Sequence, residues 1–176
     1  MTRFKSLLVV LVICALSLSA TFAVASSEGA DFIGKKVPSF VAKDLDGKDV
    51  DIKSFEGKPV LVNFWGLRCG ACIEEMPHLN NLFDKYTKDG LVILGINTDG
   101  IDSEFLKSPR GMANLPAELK YTVIEDPEGK LIDLFKMDAA PLNIIVDKKG
   151  NVTFYHVGYE AGDEKILEEK VKEALK

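Results

Sequence analysis

One segment, residues 60–88, joins a strand pattern directly to a helix pattern. Residues 60–65 are apolar except for Asn63 and predict a buried β-strand, and from Cys72 onward apolar side chains recur at helical spacing. Further apolar runs predict strands over residues 91–96, 121–124, 144–146 and 152–155. Strands that alternate with helices in this way indicate an α/β fold in which helices cover both faces of a mixed sheet.

The C-terminal pattern predicts a closing amphipathic helix over residues 163–176. Its apolar face carries Ile166, Leu167, Val171, Ala174 and Leu175. The segment 103–120 is less regular, because it contains two prolines and a glycine. We interpret it as a tolerated surface insertion, with a partner-contacting feature as the alternative.

Length and charge restrict the possible functions. The 176 residues fit one compact domain. The chain has 22 basic against 27 acidic residues and a net charge of -5, so it lacks the basic surplus typical of nucleic-acid binding. We therefore expect no nucleic-acid partner.

The N-terminal 25 residues have the pattern of an export signal. Arg3 and Lys5 precede the apolar run 7–18, and Ala23-Val24-Ala25 has the small-x-small form that a signal peptidase cleaves. The alternative is an uncleaved membrane anchor, since residues 7–25 come close to the length needed to span a bilayer. We expect a signal at 1–25, a short segment at 26–36 and one domain at 37–176. The domain would lie outside the cytoplasm, either soluble or tethered.

Removing that segment also removes Cys14 and leaves only Cys69 and Cys72. The sequence has no second clustered ligand pair for a structural zinc site, and Ile73 stands where attachment of a c-type haem needs histidine. A purely structural disulfide over so short a loop would stabilise little. We therefore interpret the pair as redox-active, with no metal and no cofactor.

The position of the pair gives the physical reason for its reactivity. Cys69 falls between the predicted strand and the predicted helix, where unpaired amides and the positive end of the helix dipole favour a thiolate. Cys72 follows one helical turn later. We predict that Cys69 is the attacking thiol and that Cys72 resolves the mixed disulfide.

Residues 63–77 (NFWGLRCGACIEEMP) resemble the active-site segment of the TlpA/ResA-like group of exported thioredoxin-fold proteins. The likeness extends over most of residues 37–176. The segment 37–40 with the Asp46-Gly47 turn resembles the leading hairpin of that group, and Pro141 falls where its cis-proline lies. The resemblance implies a thioredoxin fold with a mixed central sheet, flanking helices and an N-terminal β-hairpin.

The resemblance also implies roles for residues near the cysteines. Glu75 would carry protons to and from the thiols, the alternative being a solvated acid on the helix surface. Its neighbour Glu74 would be solvated. Asn63 replaces the buried aspartate that thioredoxin itself has at this strand position, which strengthens the case for Glu75.

A substrate surface follows from the same resemblance. Pro141 would present the backbone of Ala140 to an extended substrate segment, with Trp65 packed beside the site. Arg68 stands where the group usually has tryptophan, and its cation would favour a thiolate at Cys69. A solvated arginine is the alternative.

These observations together predict an extracytoplasmic thiol-disulfide oxidoreductase. The resemblance implies that it reduces disulfides of partner proteins, for example apocytochrome c, with electrons from a membrane protein of the thiol-reductase type. Two alternatives remain open. One is a copper-delivery module, and the other is a thiol peroxidase, for which Gly66 stands where a threonine is expected.

Overall fold

The computed structural model describes residue 29, residues 31–113 and residues 115–176. The predicted signal at 1–25 and residues 26–28 of the following segment lie outside the described residues. Within the described ranges, no helix is long and apolar enough to cross a bilayer.

Strands and helices alternate along the chain as the sequence pattern predicts. The strands are β1 (Val41–Lys43), β2 (Asp49–Asp51), β3 (Val60–Trp65), β4 (Val92–Asn97), β5 (Thr122–Glu125), β6 (Leu142–Val146) and β7 (Val152–Val157). The α-helices are α1 (Gly70–Tyr86), α2 (Ser103–Lys107), α3 (Pro109–Met112), α4 (Lys130–Leu134) and α5 (Asp163–Ala174). Short 3-10 helices cover Ile52–Phe55 and Thr87–Asp89.

The central sheet is mixed and has the strand order β5-β4-β3-β6-β7. Strand β3 pairs in parallel with β4, and β4 pairs in parallel with β5. Strands β6 and β7 add to the other side with antiparallel pairing. Strands β1 and β2 form a separate antiparallel hairpin. This confirms the predicted α/β thioredoxin fold and its N-terminal hairpin.

Alternation along β3 divides the core into two layers, because successive side chains of a strand point to opposite faces. Val60, Val62 and Phe64 pack into the layer that also contains hairpin residues and Phe135. Leu61 lies in the opposite layer, with side chains of α1 and α5. We call this second side the α1 face of the sheet. The redox-active site forms at the C-terminal end of β3, where the chain passes into α1.

One prediction about packing needs correction. Helix α5 buries Leu167, Val171 and Ala174, but Ile166 is 47% exposed. The buried three lie four and three residues apart and so share one side of the helix, while Ile166 is rotated by about 100° from Leu167.

The segment 103–120 is largely exposed, as expected of a surface feature, but it is anchored to the domain. It contains α2 and α3, and its Leu106 is buried against Trp65. Asn80 of α1 donates to the carbonyl of Glu118 at 2.9 Å and accepts from the Lys120 amide at 3.0 Å, which ties the segment to the helix.

Candidate redox-active site

Cys69 is the N-cap of α1, as the pattern predicts. Its extended backbone (φ -95°, ψ 101°) ends the loop after β3, and its Sγ accepts a hydrogen bond from the Cys72 amide at 3.1 Å. The two cysteines form a disulfide with a Cα–Cα distance of 5.2 Å. The Cys72 amide therefore points at the sulfur of Cys69, where it stabilises developing negative charge together with the helix dipole.

The two sulfurs differ in access. Cys69 is half-buried, whereas Cys72 is 1% exposed and packs with Trp65 and Met76. A disulfide partner can therefore approach Cys69 more readily than Cys72. This accessibility matches the predicted division into an attacking and a resolving thiol.

Asp99, which sequence reasoning missed, holds the loop that leads to Cys69. Its Oδ2 accepts from the Leu67 amide at 2.6 Å. A Cβ at position 66 would lie 2.8 Å from Asp99 Oδ1, so a side chain there would require the Asp99 carboxylate to move.

Glu75 lies one turn after Cys72 on α1 and is 2% exposed. Its Oε2 accepts from Asn63 Nδ2 at 3.0 Å, and its Oε1 accepts from Asn143 Nδ2 at 2.5 Å. Burial raises the pKa of Glu75 from 4.5 to about 7, the two amide hydrogen bonds oppose this rise, and the charge of Asp163 adds to it. The alternative of a solvated surface acid is wrong for Glu75, while Glu74 is exposed as expected.

Register explains how two asparagines reach one carboxylate. Asn63 of β3 pairs directly with Asn143 of β6, and Asn63 Nδ2 also donates to Asn143 Oδ1 at 3.0 Å. Sequence reasoning noted Asn63 but missed Asn143. The available signal was the same in both strands, a single amide inside an otherwise apolar run.

The proposed substrate surface is partly assembled at the disulfide. The Ala140–Pro141 peptide bond is cis and leads into β6. Ala140 is half-buried and packs against the cluster that contains Trp65 and Cys72, while the Pro141 side chain is buried. Ala140 therefore lies in the same patch as the disulfide. Arg68 is exposed and directly precedes Cys69.

Trp65 does not face a substrate. Its side chain is 1% exposed and forms part of the wall beneath the disulfide. This burial agrees with packing beside the site and leaves little of the indole for contact with a substrate. Its position follows from strand alternation, because Trp65 lies two residues after Asn63 and so points to the same α1 face.

Tyr121 and Gly95 complete the buried surroundings of the site. Tyr121 is 5% exposed, and burial together with the nearby charge of Glu75 raises the pKa of its hydroxyl. Among the described residues, three buried polar atoms have no hydrogen-bond partner: Asn63 Oδ1, Trp65 Nε1 and the Tyr121 hydroxyl. A Cβ at Gly95 would lie 2.7 Å from the Tyr121 ring and 3.1 Å from Trp65 Nε1.

Potential metal ligands are dispersed in the described part of the chain. Across residues 31–113 and 115–176, no group of three or more His, Cys, Asp or Glu side chains is arranged to hold a metal ion. His78 and His156, the two histidines of the chain, lie on different elements, α1 and β7.

Three features together are characteristic of a thioredoxin-fold protein that carries out thiol-disulfide exchange. They are the strand order of the mixed sheet, the disulfide at the start of α1 and the cis-proline before β6. A model of the AhpC/TSA family matches residues 33–155. The chain belongs to the AhpC/TSA family, and within it to the ResA-like thiol-disulfide oxidoreductases.

Similar proteins with assigned functions are thiol-disulfide oxidoreductases or thiol:disulfide interchange proteins. The chain is 34% identical over 146 residues to the thiol-disulfide oxidoreductase ResA of Bacillus cereus, which covers 81% of this chain and 74% of the relative. ResA of Bacillus anthracis is 34% identical over 143 residues, with the same two shares. A solved structure from Chlorobium tepidum, assigned as the thiol:disulfide interchange protein DsbE, has a TM-score of 0.73 at 29% identity and covers 82% of this chain and 98% of its own. The protein is therefore a thiol-disulfide oxidoreductase.

Proposed function

We propose that the protein reduces disulfides of partner proteins outside the cytoplasm, with the cysteine pair of apocytochrome c, in its disulfide form before haem attachment, as the favoured substrate class. The observation that carries the reaction chemistry is the Cys69–Cys72 disulfide at the start of α1, with the buried acid Glu75 one turn behind it. The export pattern of residues 1–25 supports the location. The resemblance to ResA-like proteins supports the direction and the substrate class.

The reaction begins with the reduced pair. The Cys69 thiolate attacks one sulfur of the partner disulfide, a mixed disulfide forms, and the other partner sulfur leaves as a thiolate that takes up a proton. Cys72 then loses its proton to the Glu75 carboxylate and attacks Cys69. The second partner sulfur leaves, and the Cys69–Cys72 disulfide forms. Two electrons pass from the protein to the partner.

Glu75 suits this proton transfer because of its protonation equilibrium. With a pKa raised to about 7, its carboxyl can both accept and release a proton near neutral pH. Residues three apart on a helix are neighbours, so the carboxyl lies on the same side of α1 as Cys72. A membrane protein of the thiol-reductase type would return two electrons to the disulfide after each turnover.

The substrate class is tested with an oxidised peptide that carries Cys-x-x-Cys-His, the attachment pattern of c-type haem. The reduced protein should open the peptide disulfide, Cys69→Ser should be inactive, and Cys72→Ser should accumulate a mixed disulfide with the peptide. A peptide with the same cysteines but scrambled flanking residues is the control. Equal rates for both peptides would contradict selection of this substrate class, and absence of exchange with either would contradict reduction of such disulfides.

The two alternatives predict other results. Stoichiometric copper that remains bound through dialysis would support a delivery module. Peroxide consumption that requires Cys69 would support a peroxidase.

A further inference from the structure

Three polar side chains form a row across the α1 face of the sheet. Asn63 pairs in register with Asn143, and Asn143 pairs in register with His156 of β7. Directly opposite residues on neighbouring strands point to the same face. The row therefore runs from the strand beside the disulfide to the edge strand of the sheet.

Two acids lie over this row, one from each covering helix. Glu75 of α1 binds both asparagines, as described above. Asp163, the first residue of α5, places its Oδ2 at 3.2 Å from His156 Nε2. The same Oδ2 accepts from the Glu160 amide at 2.9 Å, which fixes the carboxylate over the imidazole.

A cavity of about 60 Å³ connects the two acids. Its polar lining consists of Glu75, Asn143, His156 and Asp163, and Ile166 is among its apolar lining residues. A cavity of this volume has room for water, and the polar side chains in its lining can hydrogen-bond to it. Its lining includes neither cysteine, so it approaches Glu75 from the side of α5 and not from the substrate surface.

Side-chain exposure increases from Glu75 through the cavity to Asp163 and His156. Glu75 is 2% exposed, whereas the side chains of Asp163 and His156 are 26% and 40% exposed. The direction from Glu75 towards the cysteines is closed to solvent, because Cys72 is 1% exposed and a partner bound at Cys69 would cover the surface around the disulfide. A proton that Glu75 takes from Cys72 therefore reaches solvent most directly past His156.

We propose that His156 and Asp163 form the exit through which Glu75 exchanges its proton with solvent. This rests on the proposed role of Glu75 in the exchange reaction. After Cys72 has protonated the Glu75 carboxylate, the proton passes through the cavity to the His156–Asp163 pair and then to bulk water. Glu75 returns to the carboxylate, and no electrons move in this step. Imidazole is the side chain suited to proton exchange near neutral pH.

Other titratable groups act on Glu75 from the surrounding elements. Asp163 of α5 raises the pKa of Glu75 by like-charge repulsion. Burial, and to a lesser extent the charge of Glu75, raises the pKa of the Tyr121 hydroxyl before β5. Burial raises the pKa of Tyr159 after β7, and the charges of Glu164 and Glu75 add to this rise. Among these groups, Asp163 shares the cavity with Glu75 and His156. The route therefore has one acid and one imidazole at its outer end.

The test starts from the reduced full-length protein at about pH 5.5, where Glu75 holds its proton, and mixes it with oxidised glutathione at about pH 8. Glu75 must then release its proton to solvent before it can accept one from Cys72, and the result does not depend on the partner class. In His156→Gln we expect the resolving step after this jump to slow by roughly 10- to 100-fold, up to the lower end of what a positioned proton-transfer group contributes. Added imidazole buffer should restore the rate in proportion to its concentration. His78→Gln is the matched control, since His78 does not line the cavity, and it should keep the original rate.

Asp163→Asn provides a second, independent readout. Removing its negative charge should lower the pKa of Glu75 and move the pH midpoint of the resolving step to lower pH. The proposal is overturned if His156→Gln keeps the original rate and pH profile, or if its loss is not restored by imidazole. It is also overturned if the midpoint in Asp163→Asn does not move. A protein that fails with the Cys-x-x-Cys-His peptide but shows imidazole rescue with glutathione would refute the substrate class alone.

Discussion

Glu75→Gln should change how the stability of the protein depends on pH. The glutamine keeps the shape of the side chain, and its amide oxygen can still accept from one of the two asparagines that bind the carboxylate. The substitution removes the one group in this buried network that titrates near neutral pH. Its effect should therefore vary with pH in a way that a simple packing change would not.

The magnitude follows from the raised pKa. Below about pH 4.5 the carboxyl is protonated in both the folded and the unfolded chain, and above about pH 7 it is ionised in both. Between these values the folded protein holds a proton that the unfolded chain has released, so the free energy of unfolding falls as pH rises. At about 1.4 kcal/mol per pKa unit, the full loss is about 3 kcal/mol. The glutamine variant lacks this loss.

The assay is urea unfolding of the oxidised protein between pH 4.5 and 8.5, followed by the fluorescence of the single tryptophan, Trp65, which is buried. The unfolding free energy of Glu75→Gln minus that of the unmodified protein should increase by about 3 kcal/mol between pH 4.5 and pH 8.5. Glu74→Gln is the matched control, because the neighbouring acid is exposed, and it should keep the original pH dependence. A difference between Glu75→Gln and the unmodified protein that stays constant with pH would refute the reasoning.

Four further substitutions test the surroundings of Glu75 and the packing of α5. Gly95→Ala should lower the free energy of unfolding by about 1–3 kcal/mol in urea titrations, because the added methyl would lie 2.7 Å from a buried tyrosine ring; an unchanged midpoint would contradict this close approach. Asn143→Leu removes a hydrogen bond that lowers the pKa of Glu75, so the pH midpoint of thiol exchange should rise, and a fall would contradict the assignment. Ile166→Ser should change stability by less than about 0.5 kcal/mol, whereas Leu167→Ala should cost about 2–4 kcal/mol; similar losses would contradict their different burial.

Local patterns were sufficient to predict the elements and the position of the cysteines. The run 60–65 is uniformly buried in β3, and the helical spacing after Cys72 matches α1. The N-cap position of Cys69 follows from these two elements alone, because a short loop must join them. These features depend on interactions between residues close in sequence, which periodicity reports directly.

The surroundings of Glu75 could not be predicted in the same way. Helical spacing gives its side of α1 but not its burial, which depends on the register between β3 and β6, strands about 80 residues apart in the sequence. The register between β6 and β7 places His156 beside Asn143 in the same row, although it lies far from the cysteine motif in the sequence. Ile166 shows the converse, since an apolar residue at the margin of a helical face is exposed in the fold.

The measurement that tests the central claim most directly is the reduction potential of the Cys69–Cys72 couple at pH 7. It is obtained by equilibrating the protein with glutathione buffers and quantifying the two forms. A reductant of partner disulfides requires a potential well below about -200 mV, on the scale of known thiol proteins, and this is the value the account predicts. A value near about -120 mV would define an oxidant and would contradict the proposed direction of the reaction.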